Sequence, residues 1–138
     1  MKSLVIDGSM TVGLFLPDEP MTFGHAAIRA MVSGIPTYVP THWWSETANA
    51  LLMAERRKRA SQDIIDQSLL LVRRLPVMTD DETAQRCGSD TFLLARQYTL
   101  SIYDAAYLEL ALRRKSSLAT LDKALAKAGS LAGVSVFT

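Results

Sequence analysis

Short apolar runs alternate along this chain with longer segments of helical periodicity. The runs are two to four residues long and are rich in β-branched or other apolar side chains. Parallel strands need a crossover between them, which is usually a helix, so this alternation is typical of βαβ units and predicts an α/β fold around a short parallel sheet. The predicted strands are residues 4–7, 37–39, 77–78, 117–119 and 134–137.

The segments between the predicted strands carry apolar residues at helical spacing. The motif "TDDE" resembles a capping box, in which Thr79 caps a helix and Glu82 binds back to it. In the third helix, one stripe is predicted to pack into the core, with Glu46 roughly on the other side. The stripe consists of Trp44, Ala48, Leu51 and Leu52. The predicted helices are residues 9–16, 20–33, 42–59, 61–74, 80–99, 103–115 and 123–128.

Length and composition limit the classes of protein that this chain can be. With 138 residues, 49% of them hydrophobic and 21% charged, the chain fits a single domain over residues 1–138. It has neither a long apolar run nor a signal-peptide pattern, so a cytoplasmic location is expected. One cysteine and two histidines cannot build a structural zinc site, so any metal must be held mainly by oxygen.

The formal net charge of +1 does not by itself indicate a nucleic-acid-binding protein. The basic residues do form short runs, of which "ERRKR" is the longest. Each run lies near the end of a predicted helix, where cations complement the helix dipole and are commonly solvated. The runs therefore fit helix ends as well as nucleic-acid contacts. The longest consists of Arg56, Arg57, Lys58 and Arg59.

Acidic residues follow two of the predicted strands at the point where each strand ends. Asp7 directly follows the first apolar run, and Asp122 comes shortly after residues 117–119. In doubly wound sheets, ligands bind outside the carboxyl ends of the strands, where strand order reverses. If these two strands flank that point, their carboxylates open into one crevice, which Glu46 and Asp104 can border from helices. Taken alone, an acid such as Asp104 in a first helical turn is typical of a cap or dipole partner.

Electrostatic repulsion opposes such a cluster unless a cation shares it. Two carboxylates about 5 Å apart repel by roughly 3 kcal/mol at an effective dielectric of about 20. Four would oppose folding by on the order of 10 kcal/mol, which is comparable with the stability of a whole domain. Lys123 is the only cation in the segments "VIDGS", "WSETAN", "SIYDAA" and "ATLDK". Because hard divalent ions prefer oxygen ligands, the pattern favours a site for Mg²⁺ or Mn²⁺.

Five segments carry a resemblance that spans nearly the whole chain: "VIDGS", "PTHWWSETANALL", "LSIYDAAYLELALRR", "LATLDKAL" and "GVSVF". In this order they resemble the PIN-domain ribonucleases, and particularly the VapC-type toxins of toxin–antitoxin pairs. "YDAAYLELA" and "ATLD" are the most specific parts. The resemblance implies a three-layer α/β/α sandwich, a Mg²⁺- or Mn²⁺-dependent endoribonuclease, a small cognate VapB-type antitoxin and a homodimer.

Carried over position by position, the resemblance implies a set of site residues. Ser9 and Thr120 match the hydroxyl residues that orient the acids in this family. Asn49 matches a position where the family often has an amide side chain, and a role in packing or hydrogen bonding explains this residue equally well. Gly8 departs from the family's usual residue at its position, and no effect on the metal site is expected from it. The implied metal ligands and catalytic residues are Asp7, Glu46, Asp104 and Asp122.

The implied reaction is hydrolysis of an RNA phosphodiester by a metal-activated water. Glu46 either binds the metal, directly or through water, or positions and deprotonates the nucleophile, and the number of ions decides between these roles. The run from Arg56 to Arg59 is the best candidate for contacts to RNA phosphates.

Other residues near these motifs have competing interpretations. His25 and His42 lack a partner at nucleophile spacing and are expected at the surface or its boundary, whereas Cys87 is expected to be a small buried hydrophobe. Four aromatic residues have faces on which RNA bases can stack, although such residues more commonly belong to a core or a dimer interface. They are Trp43, Trp44, Tyr103 and Tyr107.

Two further classes of protein fit part of the pattern. A phosphoacceptor receiver domain also places acids at strand ends, but it needs paired acids on its first strand, where "VIDGS" has one. A binding module that pairs with an antitoxin or with a second copy needs only the apolar helices. A Mn²⁺ titration separates these classes, because a binding module shows no acid-dependent affinity and a receiver takes phosphate onto one Asp.

Overall fold

The computed structural model describes residues 1–17 and 24–137 and contains a five-stranded sheet. All neighbouring strands are parallel, and the helices that connect them cover the sheet. The predicted α/β fold, a three-layer α/β/α sandwich, is confirmed. The strands are β1 (Leu4–Ile6), β2 (Thr37–Val39), β3 (Val77–Thr79), β4 (Ser117–Ala119) and β5 (Val136–Phe137), in the order β3-β2-β1-β4-β5.

Helices occupy most of the remaining described residues. The predicted helix 20–33 begins in a segment outside the described residues, and its described part starts at Gly24. No helix in the described part of the chain is long and apolar enough to cross a membrane. The helices are α1 (Gly8–Gly13), α2 (Gly24–Val32), α3 (Trp43–Arg56), α4 (Gln62–Arg74), α5 (Thr83–Arg86), α6 (Asp90–Tyr98), α7 (Ile102–Arg114) and α8 (Lys123–Leu131).

Strand order reverses between β1 and β4, which lie at the centre of the sheet. All three residues of β1 are fully buried, as expected for a parallel strand covered on both faces. The Asp7 N–H donates to the Ala119 carbonyl at 3.1 Å. The segments that follow β1 and β4 therefore begin side by side where the sheet ends. The residues after β1 and β4 therefore face one crevice at the switch point.

The buried side of α3 agrees with the predicted stripe at Leu51 and differs from it at Trp44, Ala48 and Leu52, which are exposed. Trp43, Thr47 and Ala54 are buried together with Leu51, whereas Trp44 and Leu52 are more than a third exposed. Because the two tryptophans are adjacent, the helical pattern of the sequence allows either ring to be the buried one. The Trp43 indole N–H donates to the Thr11 hydroxyl at 3.1 Å inside the core, so α1 decides which ring is buried.

The predicted helix over residues 80–99 is two helices, α5 and α6. The break falls at Cys87, Gly88 and Ser89, where a glycine with low helix propensity lies between the two segments. The predicted capping box is also wrong, because Thr79 belongs to β3 and Glu82 pairs with arginines instead of closing a cap. Cys87 is partly exposed and not buried, and its thiol donates to the Thr83 carbonyl.

Candidate active site

Asp7 lies at the carboxyl end of β1 and caps α1. Its side chain is 3% exposed and accepts hydrogen bonds from the Met10 N–H at 2.9 Å, from the Ser9 hydroxyl at 2.8 Å and from the Thr120 hydroxyl. Burial raises the pKa of Asp7 to about 6, although these three hydrogen bonds favour the ionised form, and the charge of Asp104 raises it further. The structure thus buries a carboxyl group whose charge is only partly compensated.

Hydroxyl groups connect Asp7 with the segment after β4. The Leu121 N–H donates to the Ser9 hydroxyl at 3.1 Å, and the Asp122 N–H donates to the Thr120 hydroxyl at 3.0 Å. Asp122 is half-buried and caps α8 by accepting from the Leu125 N–H at 2.8 Å. Ser9 and Thr120 therefore fix the positions of the two strand-end acids relative to each other.

Glu46 reaches the same crevice from the first turn of α3. Its carboxyl lies against Gly8, where an added Cβ would be 2.7 Å from Glu46 Oε1. Burial, followed by the charges of Asp7 and Asp104, raises the pKa of Glu46 to about 7. The missing side chain at Gly8 makes room for the Glu46 carboxyl, so a substitution at this position would move the glutamate.

Asp104 enters from the first turn of α7. Ser101 is the cap of this helix and accepts from the Asp104 N–H at 3.1 Å, so Asp104 is not itself the cap. The Asp104 side chain is half-buried; burial, and next the charge of Asp122, raise its pKa. Each of the four acids therefore interacts electrostatically with at least one other.

The Tyr107 ring closes the inner side of the crevice. It is fully buried, and its hydroxyl lies near the Glu46 carboxyl without a hydrogen bond of ordinary geometry to any described residue. Burial and the charges of Glu46 and Asp7 raise the pKa of Tyr107, so the hydroxyl keeps its proton. This buried donor lies beside the Glu46 carboxyl and is placed to hydrogen-bond to it after a small shift.

Basic partners for the four acids are scarce in the described part of the chain. The nearest ion-pairing atom is His42 Nε2, 3.8 Å from Glu46 Oε2, and burial lowers the pKa of this histidine. His42 thus lies at the edge of the site and not on a free surface, whereas the side chain of His25 lies outside the described residues. The pKa values of Asp7, Glu46 and Asp104 are raised, and no described lysine or arginine forms an ion pair with any of the four acids. Such a set of carboxylate oxygens fits a hard divalent ion.

A second, tighter acidic cluster lies elsewhere. Among the described residues, only Asp80, Asp81 and Glu82 bring three ligand atoms within 4.8 Å of one another, so the four site acids are spaced more widely. Arg113, however, donates to Asp80 Oδ2 at 2.8 Å and to Glu82 Oε2 at 3.0 Å. Asp80 and Glu82 already have a cationic partner, and we interpret them as part of an ion-pair network that the sequence did not reveal.

The remaining predicted site residues lie along α3 and beyond its end. Asn49 is exposed, three residues after Glu46, and within the described residues it hydrogen-bonds to none of the four acids. The basic run begins at Arg56, ten residues or about 15 Å along the helix from Glu46. The side chains of Arg56, Arg57, Lys58 and Arg59 are all exposed.

Comparison with known proteins identifies the class that this fold and site define. The PIN domain family model matches residues 4–131, and the chain belongs to this family. The curated protein "Ribonuclease VapC3" of Mycobacterium tuberculosis is 28% identical over 127 residues, which cover 92% of this chain and 88% of the relative. "Ribonuclease VapC3" of Pyrobaculum aerophilum is 29% identical over 128 residues, covering 90% and 92%. The predicted resemblance to VapC-type PIN proteins is confirmed.

A solved structure shows the same fold. The crystal structure of VapC20 from Mycobacterium tuberculosis, described as a sarcin–ricin loop cleaving toxin, superposes with a TM-score of 0.65 at 18% identity. The match covers 92% of this chain and 95% of VapC20. At this identity the similarity concerns the arrangement of strands and helices.

Proposed function

We propose that this protein is a divalent-metal-dependent endoribonuclease that hydrolyses RNA phosphodiesters and acts as the toxin of a VapBC-type pair. The observation that carries the proposal is the meeting of four acids at the β1–β4 switch point without a strong cation among the described residues. The names of the relatives, which are ribonucleases and a toxin, support the substrate class.

Asp7, Asp104 and Asp122 are the proposed metal ligands, with Mg²⁺ or Mn²⁺ as the ion. When bound, such an ion polarises a phosphoryl oxygen and lowers the pKa of a bound water. Ser9 and Thr120 hold the Asp7 carboxylate by donating to its oxygens. Glu46, against Gly8, either joins the ligands or takes the proton of the attacking water at a carboxylate oxygen.

RNA also needs favourable contacts away from the acids, which repel its backbone. We propose that the exposed run from Arg56 to Arg59 contacts phosphates outside the site. Its separation from Glu46, about 15 Å along α3, fits nucleotides some distance from the cleaved bond.

A cognate antitoxin and a second copy of the chain are the proposed protein partners. Apolar side chains on α4 are exposed, among them Leu70 at 55% and Leu71 at 48%. This exposure also favours a second candidate function, a PIN-like binding module that acts through antitoxin or self-association without catalysis.

Cleavage assays separate the two candidate functions. Purified wild-type protein is incubated with total RNA and either Mg²⁺ or Mn²⁺, and the cut ends are mapped. Asp7→Asn is expected to lose cleavage, whereas Asp63→Asn, a matched change at an exposed acid of α4, is expected to keep it. Equal activity of the Asp7 variant would point to a contaminating nuclease, and RNA left intact by the wild type would favour the binding module.

A further inference from the structure

Tyr103 differs from the other three aromatic residues near the acids by its exposure. Trp43 and Tyr107 are fully buried, and Trp44, which is 38% exposed, donates its indole N–H to the Thr79 hydroxyl at 2.8 Å. Tyr103 is 66% exposed, in the first turn of α7. A tyrosine ring left so open contributes little to the core and is available to a ligand.

The exposed ring is nevertheless held in place. It meets the His42 ring edge to face, with centroids 5.6 Å apart and planes at 71°, and His42 packs in the same way on buried Tyr107 at 5.2 Å. His42 Nε2 also lies 3.1 Å from the Tyr103 carbonyl oxygen. Three rings thus form a row from the core to solvent, and little conformational freedom remains to be lost when a ligand packs on the last one.

This row of rings ends beside the acidic cluster. Tyr103 directly precedes Asp104, and His42, which touches the Tyr103 ring, lies 3.8 Å from a Glu46 carboxylate oxygen. The exposed aromatic face and the proposed catalytic acids therefore belong to one surface.

Electrostatics shows what such a face can contribute. The proposed ion would attract the phosphate that is cleaved, but it offers no surface to the neighbouring bases. The basic run on α3 begins about 15 Å from Glu46, so a contact to a base beside the cleaved bond has to come from another side chain. Stacking of a base on an aromatic ring is such a contact, and every unpaired base offers a flat face for it. In a duplex those faces are occupied by neighbouring bases.

We propose that Tyr103 is a stacking site for an unpaired RNA base next to the phosphodiester that the acids cleave. Such a contact needs a base whose face is not already stacked in a duplex. The inference rests on the proposed ribonuclease function and adds to it a specificity-determining contact that the acids cannot provide.

RNA binding by paired variants tests the stacking site. In an Asp7→Asn background, which keeps the probe intact, fluorescence anisotropy measures affinity for a short fluorescein-labelled single-stranded RNA and for the same strand annealed to its complement. Tyr103→Ala is expected to weaken single-strand binding by roughly five- to hundredfold. Tyr103→Phe keeps the ring and should bind as the parent does, and so should Phe92→Ala, which removes an exposed ring from α6.

A second measurement detects the contact itself. Single-stranded RNA containing 5-iodouridine is irradiated with the protein, and a crosslink at residue 103 is expected. Isothermal titration with Mn²⁺, in the background that retains Asp7, should give the same affinity for Tyr103→Ala as for wild type, because the ring does not bind the ion.

The stacking proposal would be overturned if Tyr103→Ala bound single-stranded RNA as tightly as its parent does, or if it lost the same affinity for single strand and duplex. It would also be overturned if sedimentation of the variant changed in a way that shows Tyr103 at a contact between two copies of the chain. Failure of the ribonuclease proposal is seen separately, as wild-type protein that leaves RNA uncut with either metal. Wild-type cleavage together with unaffected binding by Tyr103→Ala would reject the stacking site alone.

Discussion

The Thr120 hydroxyl donates a hydrogen bond to Asp7 Oδ2 and thereby joins the carboxyl ends of β1 and β4. The same hydroxyl accepts from the Asp122 N–H, so one side chain orients two of the four acids. Partners of this kind tune a metal site without touching the ion.

Replacement of Thr120 by valine keeps the shape of the side chain and removes the hydroxyl. Among the described residues, Asp7 then keeps its hydrogen bonds from Ser9 and Met10 alone. We expect Mn²⁺ affinity to fall by about 10–100-fold, measured by isothermal titration. Ser33→Ala is the matched control, because that exposed hydroxyl donates to the Ala30 carbonyl, away from the four acids. Unchanged Mn²⁺ affinity in Thr120→Val would show that Asp7 is oriented without it.

Stability of the metal-free protein is expected to fall as pH rises from about 4 to about 7. The folded-state pKa values of Asp7 and Glu46 are raised, from 3.8 to about 6 and from 4.5 to about 7. The folded state therefore binds more protons than the unfolded state in this window, and each proton lost destabilises it. For buried Asp7 the loss is on the order of 3 kcal/mol.

Urea unfolding in EDTA at several pH values measures this effect. Asp80 titrates with the opposite sign, because Arg113 lowers its pKa despite burial, so the informative quantity is the difference between wild type and Asp7→Asn. That difference should favour the variant increasingly as pH rises. Mn²⁺ should restore wild-type stability more at pH 8 than at pH 5, since protons compete with the ion for carboxylates. A pH-independent difference would mean that Asp7 titrates normally.

Alanine at position 8 tests the contact between α1 and Glu46. The new Cβ would lie 2.7 Å from Glu46 Oε1, so the carboxyl must move. We expect RNA cleavage and Mn²⁺ affinity to fall while thermal stability changes little, because alanine favours the helix by about 0.5–1 kcal/mol and offsets part of the strain. Gly88→Ala adds the same methyl group where nothing lies within 4 Å, and it should leave Mn²⁺ affinity unchanged. Equal affinities of both variants would show that the Glu46 position is not critical.

Structural features that depend on neighbouring residues in the sequence were predictable. Features that depend on contacts between distant residues were not. Alternation of apolar runs and helical segments predicts the sheet, and Asp7 and Asp122 follow their strands in the sequence itself. The choice of Trp43 over Trp44 as the buried ring depends on Thr11 in α1, and the effect of Gly8 depends on Glu46 in α3. Neither partner is adjacent in sequence, so periodicity carries no information about them.

Arg113 provides the clearest example of such a distant contact. The spacing of "RRK" at the end of α7 is typical of a solvated helix end, yet only 14% of the Arg113 side chain is exposed. Its guanidinium donates to Asp80, which lies in the loop after β3, and also to Glu82 and Glu109. The side chains of Asp80 and Glu109 are only 1% and 6% exposed. One arginine of this basic run is therefore a buried ion-pair partner and not a solvated helix end.

Arg113→Ala is expected to destabilise the fold by roughly 3–5 kcal/mol, because it removes the arginine that pairs with buried Asp80 and leaves Glu109 with only the longer contact to Arg86, at 3.8 Å, among the described residues. Urea unfolding at neutral pH measures the loss. Arg74→Ala removes an exposed arginine from the end of α4 and should change stability by less than about 0.5 kcal/mol. Because burial favours a neutral acid once the cation is gone, stability of the Arg113 variant should partly recover at low pH, where Asp80 is protonated. Equal stability of the two variants at neutral pH would mean that solvent, and not Arg113, compensates the charge of Asp80.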